Sequence, residues 1–377
     1  MSAAAHGLAL VLNCGSSSIK FQVIDPQADG PLAVGLVERV KDHAAGVGEV
    51  IACLEANPKV NLDKLTVVGH RVVQGGSEFT APTIIDDEVE RAIALLSVLA
   101  PLHNPAHAAG IRAAREAFPN VPHVAVFDTA FHQSMPEEAY TYALDRRIAQ
   151  EHSIRKYGFH GTSHGYVARA TADAMGRDVR ELNQIVLHLG NGASACAVKG
   201  GRSYDTSMGF TPLEGLVMGS RTGDIDPAVV AHLGRSAGMT IDEIDDLLNK
   251  RSGMLGLTGY NDMRDVRAAA EAGDHAAQLG LAVYCRRIKG YVGRYYALLG
   301  HLDSITFTAG VGENDIHVRA MSLAGLEELG IIVDAERNHV RPKEPTLIST
   351  DDSRVQVWVV PTNEEREIAI QSIAAVS

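Results

Sequence analysis

The sequence predicts an α/β protein built from two duplicated halves, and three observations carry that prediction. A hairpin pattern occurs twice. Leu8 to Asp25 reads as an apolar run, an Asn-Cys-Gly-Ser-Ser-Ser tip and a strand alternating apolar and polar residues, and Gln184 to Gly200 repeats that order around an Asn-Gly-Ala-Ser tip. Strand-like runs alternate with helical patterns along the whole chain, as in α/β proteins. Finally, 377 residues exceed one ordinary core, at roughly 150 residues per domain.

The elements follow in order. LALVLN is read as a first strand, because it lacks the basic flank and cleavage site of a secretory leader and runs straight into the Ser-rich tip. Downstream, LTVVGHRVV, HVAVFDT, QIVLHL, SITFTAGVG and VQVWVV read as strands, and DDEVERAIALLSVL as a helix. Between Arg264 and Leu299, Ala277, Leu281, Tyr284, Ile288, Tyr291 and Tyr295 stand at helical spacing, which predicts long packed helices with these residues as core. A capping box of Thr362 and Glu365 is expected to open a last helix from about Glu364, which returns to the first domain. The expected domains are residues 1–145, with 364–377 packed back on them, and 146–363.

Composition narrows the function classes. Hydrophobic residues make up 46% and charged residues 21%, with no apolar run long enough to span a bilayer. Four cysteines (Cys14, Cys53, Cys196, Cys285) show no CxxC spacing, which favours reduced thiols in the cytoplasm over disulfides or zinc. A net charge of −12 opposes a nucleic-acid surface. Any bound anion must then be held by local donors and a few placed arginines. The two hairpin tips supply such donors, since small residues leave N–H and hydroxyl groups facing one concavity.

Several motifs can be excluded. No Gly-Lys dipeptide occurs, hence no Walker A loop, and neither His-Arg-Asp nor Asp-Phe-Gly is present. Gly310-Val311-Gly312-Glu313-Asn314 lacks the third glycine of a dinucleotide fingerprint and reads as a tight strand-to-helix turn compatible with an adenosine edge. Gly161-Thr162-Ser163-His164-Gly165 matches a nucleophile elbow only formally, because the preceding run from Arg155 to His160 is polar and broken by glycine. Arg71, at the end of an apolar run, and Arg221, in a glycine-bounded loop, suit carboxylate or phosphate oxygens, and two such forks would stabilise spreading phosphoryl charge. Asp128 ends the strand HVAVFD, where α/β ligands bind. Glu364, at another strand end, can reach a magnesium ion.

Taken together, LNCGSSSIKFQ, GHRVVQGG, APLHNPAH, VFDTAFH, KYGFHGTSH, HLGNGAS, DTSMGFTPLEG, GSRTGDIDP, SGMLGLTG, FTAGVGEN and PTNEE resemble, in order and nearly end to end, the acetate kinases of the superfamily that also holds sugar kinases, chaperone ATPases and actin. The resemblance implies two RNase H-like (actin-like ATPase) domains with the active site in the cleft between them. It implies reversible, Mg2+-dependent, in-line transfer of the ATP γ-phosphoryl group to acetate, giving acetyl phosphate and ADP, with Mn2+ as an expected substitute metal. Asn13 and Glu364 would hold the metal, and Ser16, Ser18 and Lys20 would line the phosphate path. Arg71 would bind carboxylate or phosphoryl oxygens, Asp128 would organise the site, and His160 and Arg221 would stabilise the transition state. His188, Leu189, Gly190, Asn191, Gly192, Asp262, Met263, Arg264, Gly310, Val311, Gly312, Glu313 and Asn314 would form the nucleotide site, and Val73, Leu102, Phe159 and Pro212 a methyl pocket. The implied protein is a cytoplasmic homodimer without nucleic-acid or membrane partners.

That assignment is physically economical. A carboxylate is already a nucleophile, so catalysis reduces to alignment and charge neutralisation, and Asp128 need not accept a proton. Family members usually carry a further hairpin after the segment matching GLVERV, whereas here Val40 runs at once into KDHAAGVGEVIACLEAN. Two other readings compete: a propionate or butyrate kinase of the same family, and a nucleotide-switch ATPase module that turns over ATP without a small acid.

Overall fold

The computed structural model describes residues 7–101 and 103–377. The chain divides into two units. Unit 1 runs to Gln133 and includes Gly161–Ser163 and Asn363–Ser377, and unit 2 comprises Ser134–His160 and His164–Thr362.

Unit 1 is built on six strands, β1 (Leu8–Cys14), β2 (Ser18–Ile24), β3 (Ala33–Glu38), β4 (Leu65–Val72), β5 (Thr83–Ile84) and β6 (His123–Phe127), in the order β3-β2-β1-β4-β6-β5. Strands β1 and β2 form the first hairpin, and β1, β4 and β6 run parallel. Alternation sorts β1 between two cores. Leu10 and Leu12 join the core beneath the helix His43–Glu55, while Ala9 and Val11 pack with Ile368, Ala369 and Ile373 of the helix Glu364–Val376. A Cβ at Gly69 would lie 2.5 Å from Ser372 Oγ, so only glycine lets this last helix approach β4 so closely.

Unit 2 repeats the plan with β7 (Asn183–Leu189), β8 (Ala193–Lys199), β9 (Arg202–Thr206), β10 (Ser304–Thr308), β11 (Thr346–Leu347) and β12 (Gln356–Val359), in the order β11-β12-β10-β7-β8-β9. Placing β7 to β12 on β1 to β6 reproduces every neighbour and every sense of pairing. The repeated hairpin in the sequence thus marks a repeated sheet. The helix His275–Leu299 packs on β7 and β8, with Ala277, Tyr284, Ile288, Tyr291 and Tyr295 buried and Leu281 half-buried. The helix Gly161–Ala174 follows an irregular segment rather than a strand, so the formal nucleophile-elbow match has none of that motif's geometry.

One local expectation is corrected. The last helix opens at Glu364, but its cap is Asn363, whose Oδ1 accepts the Arg366 N–H at 3.0 Å. The expected box of Thr362 and Glu365 is therefore not the cap of this helix, and the Thr362 N–H donates to Glu313 Oε1 at 3.0 Å.

Candidate active site

In unit 1, parallel strands β1, β4 and β6 end side by side and deliver Asn13, Arg71 and Asp128 at their C-terminal ends, where open α/β sheets bind ligands. The Asp128 N–H donates to Val72 O at 2.9 Å, which continues the ladder one step past β6. This fixes a two-pronged ion pair: Arg71 Nε donates to Asp128 Oδ1 at 3.0 Å and Nη2 to Oδ2 at 2.7 Å. The Asp128 side chain is 2% exposed and that of Arg71 23%, so the carboxylate is sealed and the guanidinium keeps an open edge. Asp128, and then Glu364, hold the guanidinium firmly charged against the cost of its burial.

Burial pushes the Glu364 carboxyl up to about 7, with Asp128 and Glu365 adding to the rise and Arg71 and Lys20 opposing it. The amide oxygen of Asn13 and the Glu364 carboxylate are hard oxygen donors of the kind magnesium takes, one or two at a time, beside water and phosphate oxygens. Among the described residues no cluster of three or more His, Cys, Asp or Glu side chains could form an all-protein metal cage. The donor set fits Mg2+ and not zinc. Lys20 pairs with Asn13 across the first hairpin, and both border a cavity of about 280 Å³ with Glu365. Ser16 is exposed at the tip and Ser18 opens β2. The turn after Arg71 is braced by Asn104, whose Oδ1 accepts from Gln74 N and whose Nδ2 donates to Gln74 O, and by Thr129 Oγ1, which accepts from Gly75 N. Val73 is buried in that turn. Leu102 lies outside the described residues.

In unit 2, His160 has a left-handed backbone (φ 56°, ψ 23°), which costs a residue with a side chain about 1–3 kcal/mol. The surroundings enforce it. Tyr157 N and Gly158 N both donate to Gly209 O, and Lys156, buried just before them, donates to Thr206 O at 2.8 Å and Asp205 Oδ1 at 3.3 Å. The His160 ring stacks on His188 of β7, with centroids 4.2 Å apart, and its Nδ1 lies 2.9 Å from Ser194 Oγ on β8. A Cβ built on Gly192, at the hairpin tip, would stand 3.5 Å from His160 Nε2 and 3.9 Å from Arg221 Nη1. The space above Gly192 is therefore bordered by both side chains. Arg221 Nη1 donates to Pro212 O at 3.4 Å, and burial lowers its pKa. Among the described residues no carboxylate lies within ion-pair reach of it. Phe159, next to His160, is buried.

A second part of unit 2 is a cavity of about 920 Å³ lined by Gly190, Asn191, Asp262, Met263, Arg264, Gly310, Val311 and Asn314 among others, within the range of small-molecule and cofactor sites. Of the other residues expected in a nucleotide site, Leu189 and Gly312 are buried. Glu313 turns back to accept from Ala309 N and Thr362 N and so braces its own turn. Arg319, fully buried, holds the same turn through Gly312 O and Glu313 O, both at 2.9 Å. Gly219 could not carry a side chain, since a Cβ would fall 1.9 Å from Asn191 Oδ1. Sequence reasoning overlooked Asn104, Lys156, Ser194, Gly219 and Arg319. Only Lys156, in the glycine-broken run that also holds His160, carried a usable signal.

Among the described residues no helix is long and apolar enough to cross a membrane. The family model for the acetokinase family matches residues 8–47 and 38–370. The chain is similar to the acetate kinase of Leifsonia xyli subsp. xyli, at 56% identity over 391 aligned positions and 98% of each chain, and to that of Streptomyces avermitilis, at 54% over 393 positions and 97% of each. Among solved structures it is similar to Porphyromonas gingivalis acetate kinase (TM-score 0.95, 38% identity, 98% of this chain and 100% of that one). It also resembles a propionate kinase from Francisella tularensis subsp. tularensis (TM-score 0.91, 40% identity, 97% and 99%). The family match is in two pieces that meet at residues 38–47, where β3 gives way to the helix His43–Glu55.

Proposed function

The chain belongs to the acetokinase family, and we propose that it transfers the γ-phosphoryl group of ATP to acetate, reversibly, giving acetyl phosphate and ADP. The observation that carries this reading is the Arg71–Asp128 fork: a guanidinium charged and aimed by a sealed carboxylate, with one edge left for an anionic acceptor.

The acceptor carboxylate would lie on the open edge of Arg71, and Val73, Leu102, Phe159 and Pro212 are the residues proposed for its methyl group. One acceptor oxygen forms a bond to the γ-phosphorus as the bond from phosphorus to the β,γ-bridging oxygen breaks and ADP leaves with that electron pair. No proton need move, so Asp128 serves by aiming Arg71. Charge on the transferring oxygens would be met by Arg221 and by the His160 edge over Gly192, donors fixed in place before reaction. The adenosine would occupy the cavity bordered by Asp262 to Arg264 and Gly310 to Asn314, and Ser16, Ser18 and Lys20 would flank the phosphates. Asn13 and Glu364 would hold Mg2+, which when bound neutralises phosphate oxygens. The protein is proposed to work in the cytoplasm as a homodimer.

A propionate kinase is the second reading, favoured by the 40% identity to the Francisella enzyme. One methylene in an apolar pocket is worth about 1–3 kcal/mol, so propionate should be a poorer substrate than acetate without being excluded. The test is ATP consumption with hydroxylamine trapping, comparing acetate, propionate, butyrate and no acceptor. Hydroxamate formed best from acetate is expected. The best yield from propionate would transfer the assignment to the second reading, and ATP loss indifferent to the acid, with no hydroxamate, would remove both.

A further inference from the structure

Ser194 occupies an unusual position between two histidines. Its Oγ is fully buried on β8 and lies 2.9 Å from His160 Nδ1 and 2.7 Å from His164 Nε2. Among the described residues its Oγ has no further hydrogen-bond partner. A hydroxyl has one proton to donate, so that proton must go to one of the two rings, and the ring that accepts it must be unprotonated at that nitrogen. The other ring then donates to Oγ. The two bonds are thus coupled in direction, and only two orders are possible.

The far edge of His160 selects between them. Nε2 borders the space above Gly192 together with Arg221 Nη1, a group that only donates. A cationic donor beside that imidazole edge suits an anion, and a neutral imidazole serves an anion there only if Nε2 carries the proton. A neutral ring with its proton on Nε2 must accept at Nδ1. We infer that Ser194 is a positioning residue: the His164 Nε2–H donates to Ser194 Oγ, the Ser194 hydroxyl donates to His160 Nδ1, and His160 is thereby held as the tautomer that presents Nε2–H to the transferring phosphoryl oxygens. This inference rests on the kinase reading given above for the catalytic role, and the tautomer rests on an anion beside Arg221 and His160 Nε2.

The stack of His160 on His188 fixes the plane of the ring, and Ser194 fixes which nitrogen bears the proton. Geometry and protonation are set by different residues and can be separated by substitution. The left-handed backbone at His160 has the same logic, because it turns the ring onto β7 and β8 at the first residue before a helix.

Long-range 1H–15N correlation of ring-labelled histidines, on the nucleotide-free protein near pH 7.5 with His160→Gln for assignment, reads the tautomer directly. Nε2–H is expected at both His160 and His164. Nδ1–H at His160, or a doubly protonated His160 ring, would overturn the inference whatever the activity. Ser194→Ala should give His160 signals averaged between tautomers. It should also lower kcat about tenfold or more, given that losing an oriented donor outright costs about 10² to 10³, while KM for ATP stays within about twofold. Unchanged kcat in a folded Ser194→Ala protein would overturn the positioning role. If the wild-type protein forms no hydroxamate, the kinase reading fails and the tautomer result stands by itself.

Discussion

The two units share one topology and use it in opposite electrostatic ways. In unit 1 Arg71 is compensated: it is gripped at both prongs by Asp128, with Glu364 as a further acidic neighbour. In unit 2 Arg221 is not compensated: among the described residues no carboxylate lies within ion-pair reach, its Nη1 donates to the Pro212 carbonyl, and burial lowers its pKa. The hairpin tips differ in the same sense. The first is exposed and rich in hydroxyls beside Lys20, whereas the second is Gly-Asn-Gly, pinned by Gly219 and set beside His160 and Arg221. Duplication of a sheet therefore repeats the strand ends, while the charges built there differ between the copies. In the proposed function, the compensated guanidinium would orient the acceptor and the uncompensated one would meet charge that develops during transfer.

Substitutions can break or sharpen this contrast. The largest effect is expected from Arg221→Ala, with hydroxamate formation reduced roughly 10³-fold or more and ATP binding by equilibrium dialysis little changed. Arg71→Ala should reduce hydroxamate formation almost as steeply and, unlike Arg221→Ala, should also destabilise the protein by about 2 kcal/mol. That figure is the roughly 3–5 kcal/mol of a broken buried pair, reduced because Arg71 is partly exposed. Adding Asp128→Asn should restore most of that stability and none of the activity, as measured by urea denaturation and the trapping assay. Gly192→Ala comes next. Its methyl makes only ordinary contacts, 3.5 Å from His160 and 3.9 Å from Arg221, but occupies the space between them. Turnover should drop about tenfold, by analogy with a partly blocked donor site, with an unchanged melting temperature.

The smallest effect concerns pH. Burial first, and then the Arg71 charge, push His107 down to about 3, while Asp128 opposes the shift and His103 adds to it. A histidine with a depressed folded pKa is neutral in the native state, so its contribution is complete above about pH 6.5 and is lost as pH falls toward 3. His107→Gln should flatten the acid limb of stability by up to about 1.4 kcal/mol per pH unit, measured by urea denaturation between pH 6.5 and 4. An unaltered slope would show that His107 does not take up a proton on unfolding.

Much of this organisation is legible in the sequence because it is carried by local pattern. The repeated hairpin announces the repeated sheet, and strand ends such as Arg71 and Asp128 are visible as charges closing apolar runs. Illegible features depend on partners distant in the chain. Asn104 braces a turn some thirty positions away, and Ser194 gains its meaning from His160 and His164 on another element. Strands β5 and β11 are two residues long, too short for any alternation. Asn363 rather than Thr362 caps the last helix, and the Thr362 N–H is tied to Glu313, a contact that adjacency in sequence cannot reveal. Glu313 has the composition of a ligand-facing acid in a glycine turn, yet its carboxylate is used by the turn itself.

The most direct test of the contrast between compensated and uncompensated arginines is a pair of melting curves, Arg71→Ala and Arg221→Ala, recorded beside the wild type without nucleotide and with trapping activity measured on the same samples. Arg71→Ala is expected to melt several degrees lower because it strands the sealed Asp128 carboxylate, and Arg221→Ala to melt at or above the wild type because it removes an unpaired buried charge. Both should lose hydroxamate formation. Destabilisation of Arg221→Ala with Arg71→Ala unchanged, or near-native hydroxamate yield from either variant, would contradict it.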